Sequence, residues 1–306
     1  MFVSHPDPHI QRRKEILSKH PNIASLVKAN PLSAIWIFAL VAAHISLAAL
    51  MQDSSWFLVI LVSYCVGAFI AHALWVFIHE CCHGLVFKSQ KMNVLLSYFC
   101  NLPLIVVAAE TFNKYHPIHH ENLGKLEYDS DLPSDWEAKF FGRNFLTKIV
   151  WLQFLPIFVF LRGPRLKKVP FFSLQWGVNF LIQIIFCWMM IQNGWKTFAY
   201  MALSTVFSLG FHPCGARWLS EHYGPDSKAT QETYSYYGIL NKLSFNIGYH
   251  SEHHDFPGVP WSSLPRVSRI AGEFYGERTS HRSWLKLLGS FLSAPDNFIK
   301  RRIVRS

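Results

Sequence analysis

The sequence predicts an all-α integral membrane protein of about four transmembrane helices, with a helical cap gathered on one face of the bilayer. Three observations predict it. The apolar residues fall in long blocks instead of being spread as in a soluble domain, all but one of the 29 Lys and Arg can be placed on one side of those blocks, and the 16 His cluster beside the block ends.

The blocks are residues 32–51 (LSAIWIFALVAAHISLAALM), 56–78 (WFLVILVSYCVGAFIAHALWVFI), 171–191 (FFSLQWGVNFLIQIIFCWMMI) and 195–212 (WKTFAYMALSTVFSLGFH). Three approach or exceed the roughly 20 residues that span a bilayer. The fourth is shorter and carries Gly210 and several Ser and Thr. Two further runs, 94–109 and 149–161, are broken by Pro103 and Pro156 and are expected to be interfacial or re-entrant. With residues 1–31, 79–170 and 213–306 on one side, only Lys196 is left opposite, in the short loops 52–55 and 192–196. The positive-inside rule then puts the large segments in the cytoplasm. The net charge of +10 becomes a charge of that face, suited to anionic lipid. No basic run stands apart from the membrane segments, so nucleic acid is not an expected partner. The start of the chain is polar and basic, unlike a cleavable signal peptide, and Phe2 rules out N-myristoylation. The six Cys show no C-x-x-C spacing and read as small buried hydrophobes.

The histidines are the most informative feature. WVFIHECCHGLVF (75–87) carries His79, Glu80 and His83, YHPIHHENLG carries His116, His119 and His120, and GYHSEHHDFPG carries His250, His253 and His254. On a helix, positions i, i+3 and i+4 lie within about 100° of one another, so each triplet is expected to aim its rings at one point. Taken alone, His-Glu-x-x-His is the zinc-peptidase signature, with Glu80 as general base. Zinc takes four ligands, however, and eight imidazoles at one membrane face are too many for it. They suit two metals of higher coordination, and imidazole suits iron. His79 and His83 are therefore expected to form one part of a dimetal site. Pro117 is expected to put His116 at a helix start, where proline is tolerated. Glu80, Asp129, Asp131, Glu221, Glu252 and Asp255 are candidates for orienting the rings, or else solvated cap residues. His44 reads as a hydrogen-bonded core residue. His72, one face with His79 but roughly 10 Å deeper, either lines a substrate passage or packs. His5, His9, His20 and His281 read as surface residues.

The three boxes H-x3-H, H-x2-H-H and H-x2-H-H resemble those of membrane fatty-acyl desaturases and hydroxylases. ETYSYYGILNKLSFNIGYHSEHHDFPGVP (232–260), LPSDW after Asp129 and Asp131, RRKEILSKHP near the start and SEHY (220–223) narrow the resemblance to the sphingolipid (dihydroceramide) Δ4-desaturase family, nearly colinear from about residue 9 to 290. The resemblance implies four transmembrane helices under a cytoplasmic cap holding two irons, with O2 as co-substrate. It implies a trans double bond introduced between carbons 4 and 5 of the sphingoid chain of a dihydroceramide-like lipid. By matched motif the metal ligands are His79, His83, His116, His119, His120, His250, His253 and His254. His222, from SEHY, is the ninth, with His212 its weaker competitor. The division implied is a cytoplasmic N-terminal segment, 1–31, and one membrane desaturase catalytic domain, 32–306. No haem carrier is expected within the chain, so electrons are expected from a separate donor, cytochrome b5 with its reductase. The expected membrane is the endoplasmic reticulum in a eukaryote or the cytoplasmic membrane in a bacterium. The sequence departs from the family in the Cys pair of HECCH and in Pro117. A carbon-4 hydroxylase and a plain fatty-acyl desaturase stay open within the same chemistry. Outside it stand a membrane zinc peptidase using HECCH and a catalytically silent lipid-binding relative.

Overall fold

The structure, a computed structural model, describes residues 2–3, 6–166, 168–226 and 228–305; His5 lies outside them. Helix α1 (Pro8–Lys19) starts on Asp7, whose side chain accepts the His9 N–H at 2.9 Å. Helix α2 (Ser33–Leu50) and helix α3 (Trp56–Cys82) are long and apolar enough to cross a membrane. They leave Ile35, Trp36, Phe38, Phe57 and Ile60 exposed, the surface that lipid covers. At about 1.5 Å per residue α3 is some 40 Å long, against roughly 30 Å of hydrocarbon. Its last turns, with His79 and Glu80, therefore project out of the apolar slab. Midway, Ser63–Gly67 widens into a π-turn. A Cβ on Gly67 would lie 2.0 Å from Ser204 Oγ, so only glycine allows this approach of a neighbouring span.

Helix α4 (Gln90–Asn101) and helix α5 (Ala109–Glu121) meet at a bend of 119°. Between them lie a short turn containing Pro103 and Ile105 at φ 62°. Residue His83, just before α4, and His116 and His120 on α5 converge on one point, so α4 enters and α5 returns to the same face. This is the re-entrant reading of 94–109. Non-helical backbone at membrane depth needs internal partners. Buried Asn101 supplies them: Oδ1 accepts the Ala108 and Ala109 N–H groups, and Nδ2 donates to Val106 O and Gln183 Oε1. Gln183 in turn donates to Leu102 O at 2.9 Å, and Asn179 Oδ1 accepts the Glu110 N–H at 3.3 Å.

Helix α5 corrects one expectation. His116 does not open a helix; Pro117 stands well inside one. Proline removes the N–H that would bond Asn113 O. The Cys82 thiol sits 3.9 Å from Phe112 O and 4.0 Å from Asn113 O, so the second Cys of HECCH offers the weak donor that Pro117 lacks.

Helix α6 (Asp135–Phe141) starts on LPSDW, where Glu137 accepts the Ser134 N–H at 2.8 Å. Glu137 also accepts from Arg162 and from Trp151 Nε1, a buried cluster that fixes helix α7 (Phe145–Gln153) and helix α8 (Leu155–Arg162). Helix α9 (Leu174–Asn193) is the third long apolar span. Helix α10 (Trp195–Leu209), expected as the fourth span, has 15 residues and packs beside α3, and is shorter than the three helices long and apolar enough to cross a membrane. The two short loops meet at one end: Lys196 donates to Ser54 O at 2.8 Å, and a Cβ on Gly194, at φ 136°, would fall 1.8 Å from Gln52 Oε1.

The cap at the other end holds helices α11 (Ala216–His222), α12 (His250–Asp255), α13 (Leu264–Ile270), α14 (Gly272–Tyr275) and α15 (Trp284–Ser293). Trp284 and Phe291 pack with Trp151 and Phe298, while Ile16, Ile23 and Leu26 of the N-terminal segment pack on Phe256, Val259 and Val267. Two parallel pairs of two-residue strands, Phe2–Val3 with Val304–Arg305 and Ser235–Tyr236 with Ser280–His281, are the strands among the described residues. Buried His44 faces Tyr200 Oη at 3.3 Å from Nδ1, and His72 is buried against Trp284.

Asn101→Ala strips two backbone N–H groups of their acceptor and is expected to cost about 2–4 kcal/mol. A lowered midpoint of thermal unfolding in detergent checks it. Reporters fused at either chain end are both expected to read out in the cytoplasm, because the cations crowd that face. Opposite sides for the two ends would break this arrangement of spans.

Candidate metal centre

Four helices deliver the clustered histidines. The end of α3 gives His79 and His83. It closes with Gly84 at φ 70°, the Gly84 N–H on Cys81 O at 3.0 Å and the Leu85 N–H on Glu80 O at 2.9 Å. This left-handed glycine cap fixes His83 as the terminal residue of the helix. Helix α5 gives His116, His119 and His120, α12 gives His250, His253 and His254, and α11 ends on His222.

Two sets result. Ligand-capable atoms of His79, His83, His116, His120 and His253 all lie within 4.8 Å of one another, and those of His119, His222 and His254 do likewise. His250 joins the second set, its Nε2 2.9 Å from His222 Nε2. The sets abut, with the His120 and His254 ring centroids 4.2 Å apart. The boxes therefore do not each aim at one point, as their spacing alone suggests. The i and i+4 pairs, His116 with His120 and His250 with His254, stay together, about 40° apart around the helix. The i+3 members, His119 and His253, lie about 100° from their i+4 neighbours and go to the other set.

The donor atoms fit metal ions. His253 Nε2 lies 2.9 Å from His79 Nε2 and 3.1 Å from His120 Nε2, which is itself 3.1 Å from His116 Nε2. An imidazole nitrogen holds one proton or one lone pair, so the two middle nitrogens of this row, each facing two others, cannot be satisfied on both sides. Two nitrogens each about 2.1 Å from one cation and at right angles sit about 3.0 Å apart. His83 Nε2, His119 Nε2 and His254 Nε2 are buried with no hydrogen-bond partner among the described residues. Burial first, then neighbouring charges, holds the His222, His250, His253 and His254 rings well below the ordinary imidazole range, in the neutral form that ligates.

The outer nitrogens are held in turn. His119 Nδ1 donates to Asp129 Oδ1 at 2.8 Å, and His222 Nδ1 donates to Glu232 O at 3.2 Å. Asp129 also accepts from the Gly124 and Asp131 N–H groups. Burial alone would raise its carboxyl, but His119, Arg302 and these bonds hold it below the usual range. Glu221 lies 3.6 Å from His250 Nδ1 and accepts from Arg217 at 2.9 Å; burial pushes its carboxyl up to about 7 against that cation. Asp131 is 3.9 Å from His119.

The other acidic candidates take their hydrogen bonds from groups other than the imidazoles of the two sets. Glu80 accepts the Trp261 N–H at 3.1 Å through Oε2, while its Oε1 lies 3.9 Å from His79 Nδ1. Glu252 accepts from Ser235 and Tyr237. Asp255 accepts from Arg12 through two bonds of 2.7 Å, from Tyr275 at 2.9 Å and from His9 at 2.6 Å. His9 is thus no surface residue: it is buried, with its ring centroid 5.0 Å from that of His254. Its Asp7-Pro8 cap was a visible sign that α1 starts there, but nothing local marks its docking on α12. His20 pairs with Glu273 at the rim, and His281 is half-buried beside Tyr234. His212 lies outside both sets; its Nδ1 accepts the Cys214 N–H at 3.1 Å, and its ring packs on Tyr64 and Phe69.

A cavity of about 360 Å³ reaches the first set at His116. Its wall is mainly apolar, including Trp75, Val106, Phe112, Ile157 and Phe160, and Phe112 stacks on His116 at 4.5 Å. His72 is not on that wall. Sequence reasoning missed this cavity, because its sides come from segments far apart in the chain.

His222→Ala is expected to insert normally and to lose part of its bound metal, because one set falls from four imidazoles to three. His212→Ala is expected to keep its metal. Elemental analysis of the two purified variants at matched expression distinguishes them, and equal metal in both would make His222 a cap residue only.

The fatty acid desaturase family model matches residues 54–286, and the sphingolipid Delta4-desaturase family model matches residues 1–32. A sphingolipid delta(4)-desaturase DES1-like protein of Oryza sativa subsp. japonica is 41% identical over 295 residues, 95% of this chain and 88% of the relative. The sphingolipid delta(4)-desaturase DES1 of Drosophila melanogaster is 39% identical over 298 residues, covering 96% and 91%. That of Homo sapiens is 37% identical over 295 residues, covering 95% and 90%. With nine imidazoles in two abutting sets at the end of an apolar cavity, and relatives matching over nearly its whole length, this chain belongs to the fatty acid desaturase family and, within it, to the sphingolipid delta(4)-desaturases.

Proposed function

We propose that this chain introduces a double bond between carbons 4 and 5 of the sphingoid chain of a dihydroceramide-like lipid. The observation that carries the reading is the apolar cavity ending on His116, where the first histidine set begins and the second abuts it. A long apolar chain entering there would present a methylene pair to the histidine sets. The relatives' printed names supply the sphingolipid class and the Δ4 position.

An unactivated C–H bond resists acid–base chemistry, so the reaction needs an oxidant. The balance is one –CH2–CH2– unit plus O2, two electrons and two protons giving –CH=CH– and two waters. Two irons, one held by His79, His83, His116, His120 and His253 and the other by His119, His222, His250 and His254, would supply oxygen activation and one-electron steps. The chain's own residues do the rest. Asp129 and the Glu232 carbonyl hold His119 and His222 in the tautomer that leaves Nε2 free to ligate. The apolar cavity wall keeps the alkyl chain in one path and water away from it.

The electrons come from a separate donor, for which cytochrome b5 with its reductase suits the basic cap through faster encounter. The cap then faces the cytoplasm, at the endoplasmic reticulum membrane of a eukaryote or the cytoplasmic membrane of a bacterium.

Lipid analysis of cells that express the chain and are fed dihydroceramide tests the proposal. The expected product is the 4,5-alkene, with about two irons and little zinc per purified chain. His119→Ala is expected to abolish that product. A 4-hydroxy product alone would reassign the chain as a hydroxylase, and a single tightly held zinc would reject the two-iron site.

A further inference from the structure

We infer that Asp131 selects the polar head of the substrate, its carboxylate accepting a hydrogen bond from the hydroxyl on carbon 3 of the sphingoid chain. This rests on the proposed function for the substrate and on the placement of Asp131 for the residue. Among the described residues, Asp131 is the single carboxylate on the wall of the cavity that ends at His116. It also lines a small void of about 10 Å³ that touches His222, and the two spaces share Asp131, Leu155, Val159 and Trp218. Asp131 thus borders both the cavity that reaches a histidine of the first set and the small void, also walled by Arg162 and Arg302, that reaches one of the second.

Its backbone is fixed. The N–H donates to Asp129 Oδ1 at 2.9 Å, and the carbonyl accepts from Arg162 at 3.0 Å and Arg302 at 2.6 Å. Its carboxylate accepts no hydrogen bond among the described residues; His119 Nδ1, 3.9 Å away, is already bonded to Asp129. The side chain is 24% exposed, so a ligand can reach it. A free, reachable acceptor on a pinned backbone is suited to binding.

Substrate chemistry explains why an acceptor belongs there. Carbons 4 and 5 adjoin carbon 3, so the tail cavity must give way to a polar contact within a bond or two of the reacting atoms. A hydroxyl carried into an apolar site without a partner is costly. A carboxylate acceptor makes that bond short and directional, and so fixes the reacting carbons along the chain. A plain fatty-acyl chain has no hydroxyl to offer.

The test compares dihydroceramide with its 3-deoxy analogue, using the full-length membrane protein and the variants Asp131→Asn and Asp131→Ala. The wild type is expected to prefer dihydroceramide. Asp131→Ala is expected to lower kcat/KM for dihydroceramide by roughly tenfold to a hundredfold, and by more than for the analogue, so that the preference collapses. Asp131→Asn, which keeps a neutral acceptor, is expected to fall between. Equal loss on both substrates, or lost metal in Asp131→Asn, overturns the inference and makes Asp131 a support of His119. If the wild type forms no 4,5-alkene from dihydroceramide, the proposed function itself fails. If it does, and the variants keep the wild-type preference, only the role of Asp131 fails.

Discussion

Nine imidazoles, six buried and three half-buried, whose nitrogens face one another impose the constraint on which the rest of this structure depends. Nitrogens at 2.9–3.1 Å can share a proton pairwise, but His253 and His120 each face two others at once. A buried polar atom without a partner costs about 1–3 kcal/mol, and several stand here together. Bound cations would remove that cost, and in the same act they would tie α3, α5, α11 and α12 into one body. Other polar ties fasten neighbouring helices to this body. The Asp255 network with Arg12, His9 and Tyr275 is one, since it clamps α1 onto the helix of the third box.

Bringing the second box to that point forces the chain to enter the membrane region and come back. A continuous span after α4 would carry His116 to the opposite face, away from His79. The 119° bend prevents this, at the cost of exposed backbone groups in an apolar setting. Asn101, Gln183 and Asn179 exist in otherwise greasy helices to meet those groups. Their polarity is a consequence of the histidine geometry, reached through the fold of the re-entrant pair. Cys82 against the carbonyls near Pro117 is a weaker case of the same accommodation.

What the sequence made legible follows from locality. Spans announce themselves through composition, and paired breaks through Pro103 and Pro156, so the apolar blocks, the re-entrant 94–109 run and the four helices with their cap could be read directly. The box histidines were legible because their spacing is helical and their number exceeds any ordinary need. The partition of each box between two sets was not, because it depends on which way α5 and α12 are rotated against their neighbours. The buried place of His9 was hidden for a similar reason: its partner Asp255 lies 246 residues away. Pro117 misled because proline usually marks a helix start, and the compensating thiol sits on a different helix. The cavity could not be read at all, since its wall draws on α3, α5, α8 and α11.

The partition of the boxes has a structural consequence of its own. Each of α5 and α12 contributes to both histidine sets, so the spacing between the sets is built into the geometry of single helices. One residue step along α5, from His119 to His120, crosses from one set to the other, and one step along α12, from His253 to His254, crosses back. A loop could not hold such a separation, because its backbone angles vary more freely. Two short helices that each bridge both sets make the pair of sites a rigid unit, with α3 supplying only the first set and α11 only the second. The cavity meets this unit at His116, so an alkyl chain lying in it would be positioned against a fixed frame. Which carbons would lie opposite the histidine sets would then be decided by what holds the chain at its polar end.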